Sequence, residues 1–437
     1  MIDVEAGIVR KAHILIQNDK IEKVVHKDIE GHLTSKAVVL NGSGKWLIPG
    51  LIDMHVHIKE EYAPIYTAAG VTTVRNTGGN VIELKKLIHA PENAHTPRVI
   101  SADRIIDGLP SLWKETTSWN IIVDKRETAI QEVKRQAKAG AKLIKVHGGL
   151  SRELMEVVVE EAKKLQLEVS CDLLHSKEVS AIDAARMGIK WNEHASGIIQ
   201  DIYPDWHMNA ADEIWDTIDW EHPDEDRLTE ICHILKDNGV VLCPTLVMLD
   251  QANRRENYWY PENTIMEKIK ENSSLMQQWS RILTQYNKIN VLGKQHIWNK
   301  KITSIYHRIG GVVVAGTDTP TGIFTFPGMA LHRELQLMVQ AEFSEMDALR
   351  AATIIAAKTL ERKDIGMIKE GAYADLVLLN GNPLEDIRNT QEIDLIIKGG
   401  TLYTQTDILE QVPPEEYIKK KIEEFLDSFL DTNYKVN

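Results

Sequence analysis

The sequence predicts an α/β protein, a (β/α)8 TIM barrel carrying a small β-sandwich domain formed by the N- and C-terminal segments. Three observations predict it. From about residue 47 short apolar runs alternate with longer helical patterns, eight of these runs have the length of buried parallel strands, and further strand-rich stretches recur at both ends of the chain.

The eight runs lie at 51–54, 71–75, 98–101, 142–146, 168–171, 190–192, 240–243 and 312–315. Between them, 127–139, 152–164 and 176–187 have the apolar spacing of amphipathic helices, and Gly140 supplies a stop after the first. Eight parallel strands joined by helices close into a barrel. The connection 250–310 is far longer than a βα loop of ~2–6 residues plus one helix, and it reads as a lid. At the N-terminus 8–9, 12–16, 21–25 and 37–40 read as strands, with 374–379 and 395–403 as their C-terminal counterparts. Three units follow: a small β domain over 1–46 and 360–410, the barrel over 47–359, and a C-terminal amphipathic helix over 411–437. That helix carries Ile418, Ile422, Phe425, Leu426, Phe429 and Leu430 at helical spacing after Pro413-Pro414.

At 437 residues the chain is long enough for one large barrel and an appended domain. No segment approaches the ~20 uninterrupted apolar residues of a membrane span, and the first residues are acidic where a secretory leader is basic. A cytoplasmic protein without a membrane partner is the expectation. The net charge of −13 disfavours binding to a phosphate backbone, so nucleic acid is excluded as the main partner. Cys171, Cys232 and Cys243 are odd in number and show no Cys-x-x-Cys pairing, which points away from disulfides and thiolate zinc sites. What remains is a small-molecule substrate, with the terminal helix available either to the same chain or to a second subunit in a homo-oligomer.

The residues that carry chemistry sit at or just past the C-terminal ends of the expected strands, where barrel enzymes place their active sites. His55 and His57 lie two apart after the first strand, and in extended backbone both imidazoles point to one side and can reach one ion; the alternative is a hydrogen-bonded pair. Lys145 ends the fourth strand, where an ammonium needs either an acidic partner or conversion to a carbamate whose two oxygens bridge two divalent ions. His175 and His194 follow strands five and six and read either as ligands of a second ion or as satisfied structural histidines. Asp318 follows strand eight as a metal ligand and proton shuttle, or as an ordinary Asx turn. His147, on the same face as Lys145, and Tyr203, after strand six, are candidates for substrate contact. The lid carries Tyr258, Trp259, Tyr260, Trp279, Tyr286, Trp298 and Tyr306, which either enclose an apolar substrate or anchor helices.

Pro49-Gly50-Leu51-Ile52-Asp53-Met54-His55-Val56-His57, then Ile144-Lys145, Glu193-His194 and Gly316-Thr317-Asp318, resemble in this order the amidohydrolase superfamily over nearly the whole chain. The 370–379 segment with Gly381-Asn382-Pro383-Leu384 resembles the return strands of that family's β domain. The subgroup most similar contains imidazolonepropionase-like proteins and metal-dependent dipeptidases and carboxypeptidases with a strand-four lysine. The resemblance implies two divalent ions, zinc foremost: His55, His57 and Asp318 on one, His175 and His194 on the other, and N6-carboxylated Lys145 between them. It further implies hydrolysis of the amide of a dipeptide or N-acyl amino acid by a metal-bridging hydroxide, with Asp318 as proton shuttle and His147 assisting at the carbonyl. A lactone or ester hydrolase on the same centre, or a non-catalytic scaffold relative, is the alternative. The sequence departs from the family pattern at strand five, where Cys171-Asp172-Leu173-Leu174-His175 makes Asp172 a rival of His175. It also lacks the strand that precedes the segment Asp3-Val4-Glu5-Ala6-Gly7 in the family, which implies a truncated start.

Overall fold

The computed structural model describes residues 1–26, 38–113, 115–254, 263–284 and 286–431. Its barrel strands are β1 (Leu51–Val56), β2 (Val71–Asn76), β3 (Arg98–Ser101), β4 (Leu143–His147), β5 (Glu168–Asp172), β6 (Trp191–Glu193), β7 (Val241–Cys243) and β8 (Val312–Val313). Parallel pairing runs β1–β2–β3 and β4–β5–β6–β7–β8. Two seams complete the circle. After β3 the chain bends and continues as Ile105–Asp107, so that Ala102 bridges Leu143 and Ile106 pairs with Val146 of β4. On the other side Met54 N–H donates to Ala315 O at 2.9 Å and Val56 bridges Thr319. The eight expected strands therefore form the barrel. β8 ends two residues earlier than its apolar run, although Val314 N–H still donates to Leu242 O at 3.0 Å.

Two outer helices match their sequence signals closely. Arg126–Ala139 stops on Gly140 at φ +100°, and Arg152–Lys164 starts where Ser151 accepts from Leu154 N–H. The third begins at Ala181 rather than at 176. Ser180 and Asp183 form a reciprocal capping box that sets this start and leaves 176–180 as loop.

The chain ends build an antiparallel sheet ordered Thr401–Tyr403, Ile393–Lys398, Leu376–Leu379, Trp46–Pro49, with Gly399 and Gly400 turning between the first two at positive φ. The hairpin His13–Gln17 and Lys20–Val25 packs on it through Ile21, Ala374 and Leu376. Trp46–Pro49 runs through Gly50 into β1, so the sheet anchors the strand that carries the histidine pair. The strand expected at 37–40 does not form: residue 37 lies outside the described residues, and 38–40 have no regular structure, with Val38 and Val39 exposed.

The lid is helical, comprising Leu246–Arg254, Thr264–Lys270, Ser273–Leu283, Tyr286–Lys294 and His296–Arg308. Trp279, Trp298 and Tyr306 are buried in it and donate to the carbonyls of Pro320, Asp219 and Val240, so they anchor helices rather than coat a cavity. Tyr258, Trp259, Tyr260 and the side chain of Tyr286 lie outside the described residues. A final helix, Glu415–Asp431, follows the second of the two prolines. Among the described residues no helix is long and apolar enough to cross a membrane.

His332, in the buried helix Met329–Gln340, ties the lid side of the barrel to the β domain. Its Nε2–H donates to Ala69 O at 3.0 Å and its Nδ1 lies 2.9 Å from Thr390 Oγ1. Burial pushes its pKa down to about 4 from an ordinary 6.5. The unfolded chain therefore binds a proton that the folded one does not, and stability present above pH 6.5 is lost as the pH falls toward 4. Lowering the pH from 7 to 5 should cost about 2 kcal/mol through this group. Urea unfolding of the wild type and His332→Gln at both pH values checks this, the variant losing that share of the pH dependence.

Candidate metal centre

The C-terminal ends of β1, β4, β5 and β6 and the loop after β8 bring His55, His57, Lys145, His147, Asp172, His194 and Asp318 onto one cavity of about 570 Å³. His55 Nε2 and His57 Nε2 each lie 3.0 Å from Asp318 Oδ1. These three donors fall within 4.8 Å of one another, a spread that one divalent ion would close. On the same cavity Asp172 stands between two imidazoles, its Oδ2 3.6 Å from His147 Nε2 and 3.5 Å from His194 Nε2.

Three of the histidines are tethered through Nδ1, which leaves Nε2 facing the cavity. His55 Nδ1–H donates to Glu193 Oε2 at 2.6 Å, His57 Nδ1–H donates to Gly78 O at 3.1 Å, and His194 Nδ1 pairs with Thr245 Oγ1 at 2.6 Å. Such outer partners fix the ring and choose which nitrogen is free. The loop after β8 is fastened equally well. Thr317 donates to Asp53 through both N–H and Oγ1, and Asp318 N–H donates to His55 O at 2.7 Å. Gly316 makes that approach possible, since a Cβ there would collide with Cys243 Sγ and stand 2.9 Å from His55 Cβ. Asp318 and His194 are held at φ +59° and +63°, left-handed backbone that a non-glycine residue adopts only when its surroundings impose it.

Electrostatics separate the two halves of the cluster. Burial pulls the His55 pKa down, but Glu193 and Asp318 outweigh it and hold it above the ordinary value. Burial lowers His147 and His194 to about 4 despite the pull of Asp172, so both are neutral and have a lone pair to offer. Burial opposes ionisation of Asp172 as well, yet His147, His194 and Lys145 keep its pKa below the usual carboxylate range. Asp318, beside His55 and His57, is likewise well below it.

Lys145 Nζ is buried among these groups and, among the described residues, has no hydrogen-bond partner. An ammonium left so is costly, and a neutral amine carrying an added carboxylate, shared between two cations, relieves the cost. The donor set of imidazoles, carboxylates and this orphaned nitrogen thus fits divalent metal ions.

The sequence-predicted residues divide. His55, His57, Lys145, His147, His194 and Asp318 converge. His175 also lines the cavity, but three residues beyond the end of β5 and 3.2 Å from the Asn209 side chain, whereas Asp172 ends the strand and faces the histidines. Tyr203 does not line the cavity; its ring packs edge-on to Trp298. Sequence reasoning gave no role of their own to Arg75, Ser170 and Glu193. Glu193 accepts from Arg75 Nη2 at 2.7 Å, Ser170 Oγ at 2.6 Å and His55, all inside the barrel. The available signal was charge itself, an arginine in Val71-Thr72-Thr73-Val74-Arg75 and a glutamate in a buried strand. Arg75→Met should strip Glu193 of its cation and lower stability by about 3 kcal/mol, read as a fall in the urea midpoint with an unchanged slope.

The Amidohydrolase family model matches residues 46–402. An ochratoxinase of Aspergillus niger is 26% identical over 304 residues, 64% of this chain and 50% of that protein, so the match spans about half the relative's length. An imidazolonepropionase of Idiomarina loihiensis is 22% identical over 402 residues, covering 85% of this chain and 86% of that one. Among solved structures, a prolidase crystallised with N-methylphosphonate-L-proline superposes with a TM-score of 0.65 at 19% identity, over 92% of this chain and 97% of that one. With the family model spanning the barrel and the four-stranded terminal sheet up to residue 402, the chain belongs to the amidohydrolase family.

Proposed function

We propose that this protein is a metal-dependent hydrolase that cleaves the C–N bond of an amide, in a dipeptide or an N-acyl amino acid. The buried Lys145 Nζ, amid imidazoles and carboxylates and without a hydrogen-bond partner among the described residues, carries the reading, because a bridging carbamate accounts for it. His55, His57 and Asp318 would hold one ion, and His194 with Asp172 or His175 the other, with carboxylated Lys145 between them. Zinc suits this mixture of nitrogen and oxygen donors. Two divalent ions there would supply Lewis acidity toward the amide carbonyl and bring the pKa of an attacking water to ~7.

The chain's own groups do the remaining work. Asp318, ionised and held between His55 and His57, accepts the proton that water gives up as its oxygen bonds to the carbonyl carbon. As the C–N bond breaks, Asp318 returns that proton to the leaving nitrogen, so that a carboxylic acid and an amine result. His147, neutral and near the Trp113 ring at a centroid distance of 5.1 Å, is placed to contact the acyl side of the substrate. The names of the relatives support amide chemistry, since an ochratoxinase, an imidazolonepropionase and a prolidase share the family.

Elemental analysis of purified protein should find about two divalent ions per chain, and Lys145→Ala should lose metal and hydrolysis together, with partial rescue by short carboxylic acids. Full metal content and activity in that variant would remove the bridging role. Asp318→Asn should lower kcat by about 100-fold or more on an N-acyl amino acid. Comparing the metal content of Asp172→Ala and His175→Ala decides which completes the second site, and the geometry favours loss in Asp172→Ala.

A further inference from the structure

Away from the histidine and aspartate cluster the cavity wall is largely apolar, with Leu112, Trp113 and Leu174 joined by Met248, Ile282 and Leu292 of the lid. One charge interrupts it. Among the described lining residues, Lys59 is the only charged side chain outside the cluster of Lys145, Asp172, Asp318 and the histidines. It stands two residues past His57, half-buried, just before the short helix Glu60–Tyr62.

Lys59 makes no ion pair among the described residues, although the carboxylates of Glu61 and Glu83 feel its charge. Its Nζ rests 4.9 Å from the centre of the Trp119 ring, another residue of the cavity wall, and among the described residues no carboxylate comes within ion-pair distance of it. Glu60 is taken by Lys86, while Glu61 and Glu83 feel the Lys59 charge only from farther away. An ammonium steadied on an aromatic face and bordered by hydrocarbon has lost part of its water without making an ion pair in return. A carboxylate entering there makes a charge-assisted hydrogen bond in surroundings where it counts for more than in bulk water.

We propose that Lys59, steadied by Trp119, reads a free carboxylate on the substrate, while the apolar wall takes the hydrocarbon side chains beside the scissile amide. This rests on reading the cavity as an amide-hydrolase site, and within the dipeptides and N-acyl amino acids proposed for it assigns the recognition of the free α-carboxylate to Lys59 and favours those with apolar side chains. Amidated or esterified analogues leave the ammonium without its partner and are discriminated against.

Calorimetric titration of the metal-loaded protein with N-acetyl-L-leucine and N-acetyl-L-leucinamide tests the assignment. The carboxylate should bind about tenfold tighter or better, Lys59→Met should erase the difference, and Lys59→Arg should keep most of it. Equal affinities in the wild type, no detectable binding of either compound, or an undiminished preference in Lys59→Met overturns it. Hydrolysis assays on the same pair separate this inference from the one beneath it. A metal-loaded enzyme that cleaves amides without regard to the α-carboxylate sinks the Lys59 assignment alone. A Lys59-dependent preference in binding with no amide cleaved leaves the anion subsite standing and sinks the amide-hydrolase reading.

Discussion

The arrangement of this protein depends on one buried carboxylate. Glu193 sits inside the barrel, where an unpaired charge would be untenable, and Arg75, Ser170 and His55 satisfy it from three other strands. The arginine in turn lies over the Trp191 ring, 4.1 Å from its centre. Because β1, β2, β5 and β6 all contribute, none of these strands can shift register without leaving a charge unpaired. The same carboxylate takes the His55 Nδ1–H and leaves Nε2 toward Asp318. A structural necessity of the barrel interior thereby sets the orientation of a candidate metal-binding imidazole.

Around that fulcrum the rest of the centre is built on rigid supports. His57 is held by the carbonyl of Gly78, His194 by the hydroxyl of Thr245, and the Asp318 loop by Asp53 and the His55 carbonyl. Left-handed backbone at His194, Thr245 and Asp318 shows the same pressure, since the turns after β6, β7 and β8 accept strain to aim side chains inward. The lid then closes the cavity with aliphatic surface while spending its buried aromatics on its own packing. Donors are thus preorganised below, and a largely apolar chamber with Lys59 on its wall lies above.

Much of this was legible along the chain. The eight apolar runs became the barrel strands, and the residues singled out at their ends mostly meet at one cavity. What misled was local ambiguity. The apolar spacing of 176–187 says nothing about where a helix starts, and the Ser180–Asp183 capping box moved that start to Ala181. Val38, Val39 and Leu40 look like a strand but find no partner and remain exposed. Asp172 and His175 are both plausible donors in sequence, and only the exact end of β5 separates the one that faces His147 and His194 from the one that reaches Asn209.

The sequence by itself determined the alternation of strand and helix, the order of histidines, lysine and aspartate at the strand ends, and the family those residues resemble, because periodicity and short spacings are properties of neighbours in the chain. The tertiary structure decided that Glu193 and Arg75 pair inside the barrel, that Lys145 Nζ finds no hydrogen-bond partner among the described residues, that Asp172 stands between two imidazoles and that Lys59 faces the cavity beside Trp119. Each of these depends on the distance between residues separated by dozens to hundreds of positions, and only closure of the barrel sets such distances.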